Sequence, residues 1–282
     1  MSEVITGYYQ TQPSIAFSGE GAEKTAIVQC KSIYYKQVNE TVRAAIEEGA
    51  HRIVLQGING QRYIGDGIVA KDVTIIVEGV AGQDLAMFMG GATVEVLANA
   101  QDGVGNTMDS GEVYIHGHAG DVIGYGMRGG AVYIRDDVGY RVGIHMKEFK
   151  SHKPLIVAGG CARDFFGEYM AGGELILLGL DSQGQRSDQP LVGNYIGTGM
   201  HGGVIYLRGE IQPFQCGKEV GIFAAEEKDL ASIKKHLEKY VELFATDFGS
   251  DPAELLEELL SSKWTKLSPT SSRPYGNLYA PL

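Results

Sequence analysis

Residues Gly111 to Asp137 read GEVYIHGHAGDVIGYGMRGGAVYIRDD, and one pattern occurs in them twice. GEVYI from Gly111 and GAVYI from Gly130 each alternate and are rich in Val, Ile and Tyr, which predicts two short strands. Between them lies GYGMRGG (Gly124–Gly130), whose first six residues satisfy G-x-G-x-x-G. That fingerprint points to a dinucleotide loop only where a strand feeds a tight turn that opens a helix. Here the residues after Gly130 form a strand. The same hexapeptide returns as GTGMHG at Gly197–Gly202, again before a strand, VIYLR. Related pieces, MFMGG (Met87–Gly91) and YMAGG (Tyr169–Gly173), precede other β-rich runs. A motif repeated at one place in several units reads as a corner device, because glycine permits positive φ and lets stacked backbones approach. The corner glycines are Gly90, Gly91, Gly124, Gly126, Gly129, Gly130, Gly172, Gly173, Gly197, Gly199, Gly202 and Gly203.

Outward from this block the β-rich runs recur with anchors at Arg52, Asp72, Gly91, Gly111, Gly130, Lys153, Gly173 and Gly203, at spacings of 20, 19, 20, 19, 23, 20 and 30. The last spacing contains a polar insertion, LDSQGQRSDQP, which reads as a loop. The connecting segments are too short and too rich in glycine for crossover helices. One strand every twenty or so residues predicts an all-β solenoid, a parallel β-helix of about eight rungs in which no repeat buries its own apolar face. At the usual spacing of stacked strands the rod would be about 35–40 Å long. Leucine-rich repeats lack a matching pattern here, and a β-sandwich does not require like residues at a fixed interval. Glycine is abundant, 40 of 282 residues, as many short ordered segments require.

The ends differ from the repeat. Residues 1–50 read as a small α/β cap: TAIVQC as a strand, and NETVRAAIEEGA as a helix with Asn39 as N-cap and Gly49 as stop. Residues 51–210 are the β-helix. Residues 211–282 read as a helical extension with an extended tail. The spacing of Leu230, Ile233, Leu237, Tyr240, Val241 and Phe244 predicts one amphipathic helix. SDPAELLEELLSSKW predicts a second, capped by Ser250 or Asp251 with Pro252 in its first turn. These helices are expected to cap the last rung or offer a docking face, with the tail packed along the body or onto a partner.

A net charge of −11 argues against nucleic acid. No basic and apolar leader and no membrane-length apolar run is visible, and three scattered cysteines fit a reducing compartment, so a cytoplasmic chain is expected. Candidate chemistry is sparse. His116 and His118, two apart on a strand, share a face and could ligate a metal, but hydrogen-bonded histidines are the simpler expectation. Cys161 in GGCARDFF has no histidine placed to activate it. No catalytic, cofactor-binding or metal-ligating residue is therefore assigned. The stretch from Arg135 to Lys153 interrupts the period and gathers Arg135, Arg141, Lys147, Lys150 and Lys153. Tyr140, Arg141 and Lys147 are the candidate partner interface, since Tyr and Arg are typical interface anchors.

GQRYIGDG (from Gly60), the block from Asn99 to Glu148, FFGEYMAGGELILLGL (from Phe165) and RPYGNLY (from Arg273) resemble the GXGXG domain of glutamate synthase, particularly its stand-alone archaeal-type subunit. The resemblance covers nearly the whole chain. It implies a right-handed parallel β-helix without chemistry of its own. It implies as partners a class II glutaminase subunit and an FMN- and iron–sulfur-containing synthase subunit that makes glutamate from 2-oxoglutarate. Those cofactors belong to the partner; this chain has no cysteine cluster, and residue 2 is serine rather than a nucleophile. The β-helical subunit of formylmethanofuran dehydrogenase and the GXGXG subunit of N-methylglutamate synthase share the fold and glycine pattern and stand as alternatives. A carbohydrate-active β-helix enzyme is a more distant one. Self-association through the end rungs is a further expectation.

Overall fold

The computed structural model describes residues 11–272. Nine strands stack in parallel and in chain order: β2 (Thr25–Gln29), β3 (Arg52–Asn59), β4 (Thr74–Val80), β5 (Gly90–Val96), β6 (Ser110–Ile115), β7 (Ala131–Ile134), β8 (Leu155–Ala158), β9 (Ala171–Leu177) and β10 (Gly202–Arg208). The register explains the repeat. Ala26, Ile53, Ile75, Val94, Val113, Val132, Ile156, Leu175 and Ile205 pair in succession and all point into the coil, fully buried. Each valine, isoleucine or leucine of the series contributes about 1.5–3 kcal/mol by leaving water, but only because the coil above and the coil below complete its surroundings. All eight anticipated strands are present in the ladder. The solenoid makes about six turns, somewhat fewer than eight rungs suggest. The first and last strands bound the coil without each adding a circuit, and the connection between β9 and β10 carries the polar insertion.

The ends depart from expectation in instructive ways. The strand TAIVQ is no separate cap: β2 pairs in parallel with β3 and opens the ladder. The sheet is extended past it by β1 (Ser14–Ser18), antiparallel to β2. Helix α1 (Tyr35–Glu47) begins before Asn39, whose side-chain amide donates instead to the Arg62 carbonyl at 2.9 Å. It ends where Gly49 turns left-handed, and Val38, Val42 and Ala45 join the core over the first coils. At the far end two strands that the helical pattern concealed complete the sheet. β12 (Trp264–Pro269) runs antiparallel beside β10, and β11 (Val220–Ala224) runs beside β12. These strands, not the helices, cover the last rung.

The two C-terminal helices, α2 (Glu227–Phe244) and α3 (Pro252–Ser261), lie against the outer face of the sheet. The outward-facing column Tyr114, Tyr133, Val157, Ile176 and Tyr206 is apolar there, and Ile233, Leu237, Tyr240, Val241 and Phe244 of α2 pack on it. Asp251 caps α3, accepting from the amides of Ala253 and Glu254 at 2.9 and 3.1 Å. Among the described residues no helix is long and apolar enough to cross a membrane. The tail segment RPYGNLY lies outside the described residues.

Candidate partner interface at the glycine corner

The corner is a six-residue unit that recurs in each of the seven connections between successive strands from β3 to β10, starting at Tyr63, Asp84, Gly103, Val122, Arg141, Phe165 and Tyr195. In every one, the first, third and fifth residues have positive φ. The second and sixth residues face the core: Val142 and Met146 in one coil, Phe166 and Met170 in the next, all buried. Six of the chain's methionines occupy the sixth position, from Met89 to Met200, stacking flexible thioethers along the interior.

The hydrogen bonds explain the alternation of φ. Arg141 N and His145 N donate to Asp164 O and Glu168 O of the following coil, at 3.0 and 3.1 Å, while Gly143 N donates back to Ile123 O at 2.8 Å. Phe165, Gly167 and Tyr169 repeat the scheme with Asn194, Val142 and Thr198. Alternate residues bonding opposite neighbours is the rule of a parallel ladder. The corner keeps that rule around a tight bend, and left-handed residues are what allow it. The third position must also be small. A Cβ on Gly143 would meet Leu175 Cδ1 at 2.7 Å, and one on Gly124 would collide with Ile156. Of the glycines assigned to corners from the sequence, Gly124, Gly126, Gly197 and Gly199 lie in them. Gly90, Gly91, Gly129, Gly130, Gly172, Gly173, Gly202 and Gly203 lie just beyond them, at or beside strand starts.

The first and fifth positions point outward, and there glycine gives way to Arg141, Phe165 and Tyr195, and to Phe88, His145 and Tyr169. A left-handed conformation costs a non-glycine residue about 1–2 kcal/mol. Apart from Phe88, these side chains form an ordered column of two short stacks. The Arg141 guanidinium lies over the Phe165 ring, 4.5 Å from its centroid, and Phe165 stacks on Tyr195 with centroids 4.9 Å apart. His145 stacks on Tyr169 at 5.2 Å, with Tyr125 edge-on to His145 at 5.9 Å. Arg141 is also ion-paired with the buried Glu168. Tyr195 is 56% exposed. Beside the column a cleft of about 420 Å³ is lined by Tyr140, Cys161, Arg163, Asn194 and Phe214, the last 78% exposed.

Of the three interface candidates, the structure brings Tyr140 and Arg141 to this face. Lys147 lies in a second cleft with Asp109, Arg128, Phe149 and His152, where Phe149 and His152 close a tight turn that accounts for the interrupted period. The same face carries Phe165, Tyr169, Tyr195 and Phe214, which the sequence reading did not single out. The first and third of these stand two residues before a corner glycine, as Arg141 does, and that offset is the signal that would have found them.

The other chemistry-bearing groups have structural partners. His116 sits between Glu95 and Asp247, its Nε2 3.2 Å from one carboxylate and its Nδ1 2.6 Å from the other. These contacts, with Glu95 foremost, raise its pKa against the opposing effect of burial. His118 is exposed and faces Asp136 at 3.9 Å. Burial raises the Cys161 thiol and pushes those of Cys30 and Cys216 up to about 12 and about 11. Among the described residues no three His, Cys, Asp or Glu side chains gather as metal ligands.

Comparison with known proteins agrees with this architecture. The chain is 47% identical over 257 residues to an uncharacterized protein of Methanocaldococcus jannaschii, covering 90% of this chain and 96% of that one. Its fold is similar to that of a chain in the crystal structure of the formyltransferase/hydrolase complex of Methylorubrum extorquens. That match has a TM-score of 0.50 at 20% identity and covers 74% of this chain and 71% of the other. The family model described as the GXGXG motif matches residues 23–270, from the first parallel strand through the last antiparallel one. This chain is a member of the GXGXG family.

Proposed function

We propose that this chain is the non-catalytic assembly subunit of a glutamate-synthase-type complex. In this reading it braces a glutaminase subunit, which releases ammonia, against an FMN- and iron–sulfur-containing subunit that makes glutamate from 2-oxoglutarate. The observation that carries the reading is the corner column. Arg141, Phe165 and Tyr195 keep unfavourable backbone angles, and their large side chains stack on the outside of the coil, with Tyr195 56% exposed. Aromatic and arginine side chains held rigidly on a surface are the usual anchors of protein interfaces. The solenoid supplies a stiff span and the C-terminal helices brace its back. FMN and the iron–sulfur cluster belong to the partner in this reading, and the complex is cytoplasmic.

A second reading makes the chain a scaffold within a complex of another chemistry, of the formylmethanofuran dehydrogenase or N-methylglutamate synthase type. Its support is the likeness in fold to a chain of the formyltransferase/hydrolase complex. Affinity purification of the full chain from native extract separates the two. Glutaminase and flavin-containing synthase polypeptides are expected to copurify, with glutamine-dependent glutamate formation in the eluate and none from this chain alone. Recovery of formyl-transferring polypeptides instead favours the second reading, and recovery of neither set rejects both.

A further inference from the structure

The strand β1 ends the twelve-stranded sheet. One side of it is bonded to β2, with Ile15 opposite Val28, Ala16 opposite Ile27 and Phe17 opposite Ala26. Its other side meets no strand among the described residues. Val28 and Ala26 face the core and are fully buried, so Ile15 and Phe17 lie on that same apolar face, yet each is 38% exposed. Edge strands are ordinarily blunted by charge or proline, because their free N–H and C=O groups template further pairing. The five residues Ser14-Ile15-Ala16-Phe17-Ser18 carry neither. Lys24 lies beside the strand, its Nζ over the Phe17 ring at 4.9 Å.

The pattern Ser-Ile-Ala-Phe-Ser is symmetric in side-chain type about Ala16. An antiparallel partner of the same sequence, related by a two-fold axis at Ala16, sets Ser14 opposite Ser18 of the second copy and Ile15 opposite its Phe17. A two-fold contact of this kind uses one patch on both molecules and closes at the dimer. The opposite sheet edge, β11, has no such symmetry: about Ile222, a glycine faces a phenylalanine. We infer that β1 is the docking edge for a second copy of this chain, which pairs with it through antiparallel β1 strands centred on Ala16. The contact is apolar and each copy carries a net charge of −11, so added salt strengthens it. This inference does not depend on which complex the chain serves.

The test is the mass of the full chain by light scattering and sedimentation, across concentration and salt. The expected result is a shift from 30.4 kDa toward twice that value as concentration and salt rise. Phe17→Lys and Ile15→Lys, both at exposed positions, are expected to remain folded by circular dichroism and to abolish the shift. Ala16→Cys, in a background with Cys161 and Cys216 changed to Ser, is expected to give a covalent dimer on mild oxidation. A single species of 30.4 kDa throughout overturns the inference, as does a dimer that survives Phe17→Lys. Open-ended polymers overturn it too, because they require β1 to meet β11 head to tail. So does a dimer that forms only after residues 1–10 are deleted, because the edge is then covered by this chain's own N-terminus.

Discussion

Two columns of aromatic side chains run along the outside of this solenoid, and they end differently. On the sheet face Tyr114, Tyr133 and Tyr206 lie in ordinary extended backbone and are buried beneath α2. At the glycine corner Phe165, Tyr169 and Tyr195 lie in left-handed backbone and are at least partly open to solvent. The first column has found its cover within the chain. The second is ordered by stacking and by Arg141, and within the described residues no helix lies over it. The difference separates outer surface that the chain covers itself from outer surface that no described helix covers.

The sharpest break of this comparison is inside the corner itself. Gly143→Val combines a left-handed β-branched residue with a collision against Leu175, and is expected to cost about 2–5 kcal/mol from those two effects together. Urea unfolding measures it. Gly126→Val is the control: its Cβ would make only an ordinary contact, with Thr107 Oγ1 at 3.7 Å, so the backbone cost of about 1–2 kcal/mol is expected to dominate. On the sheet face, Leu237→Ala should cost about 2–4 kcal/mol by leaving a cavity under α2. Hydrogen exchange should then show α2 and α3 loosened while the coils stay protected. If the whole solenoid loosens equally, the helices are part of the core and not a cover.

Tyr195→Gly should change stability by less than about 1 kcal/mol, because relief of the left-handed backbone offsets the lost stacking. Capture of the partner subunits should nevertheless fall at least about tenfold, as for an interface anchor. A large loss of stability with partner capture intact would make the corner column a structural device like the tyrosines under α2.

The smallest effect is in the pH profile. The folded state raises the pKa of His116 above its ordinary 6.5, so its contribution is fully present below 6.5 and is lost as pH rises through the raised folded value. The same contact lowers Glu95, whose contribution is present above its ordinary 4.5 and is lost as pH falls through its depressed folded value. His116→Gln should flatten the decline that sets in as pH rises above 6.5, read as Tm against pH. An unchanged slope would show that the Glu95–His116–Asp247 contact does not tie the segment after α2 to the sheet.

Much of the solenoid was legible because its signal is periodic. Valine and isoleucine return every nineteen or twenty residues, since stacked coils place like positions over one another. The corner was legible as a place but not as a geometry. The G-x-G-x-x-G spelling grouped Gly129 and Gly130 with Gly124 and Gly126, whereas the repeating unit is a set of alternate left-handed residues ending at the methionine. That set includes Arg141, His145, Phe165 and Tyr195, whose backbone angles no propensity would suggest. Strands β11 and β12 were hidden for a different reason: each flanks a strongly amphipathic helix, and their partners are distant in the chain.

The sequence by itself determined the stacking. Inward apolar residues at a fixed interval, separated by segments too short for helices, leave a parallel coil as the arrangement that buries them all. Only the tertiary structure decided which outer surface is covered. α2 was equally free, on its own pattern, to close the end of the rod or to lie along its side. It lies along the side because the outward column from Tyr114 to Tyr206 is apolar there, and β12 had already taken the edge of β10. Hydrophobic burial is non-directional, so an amphipathic face specifies that it will be covered but not by what.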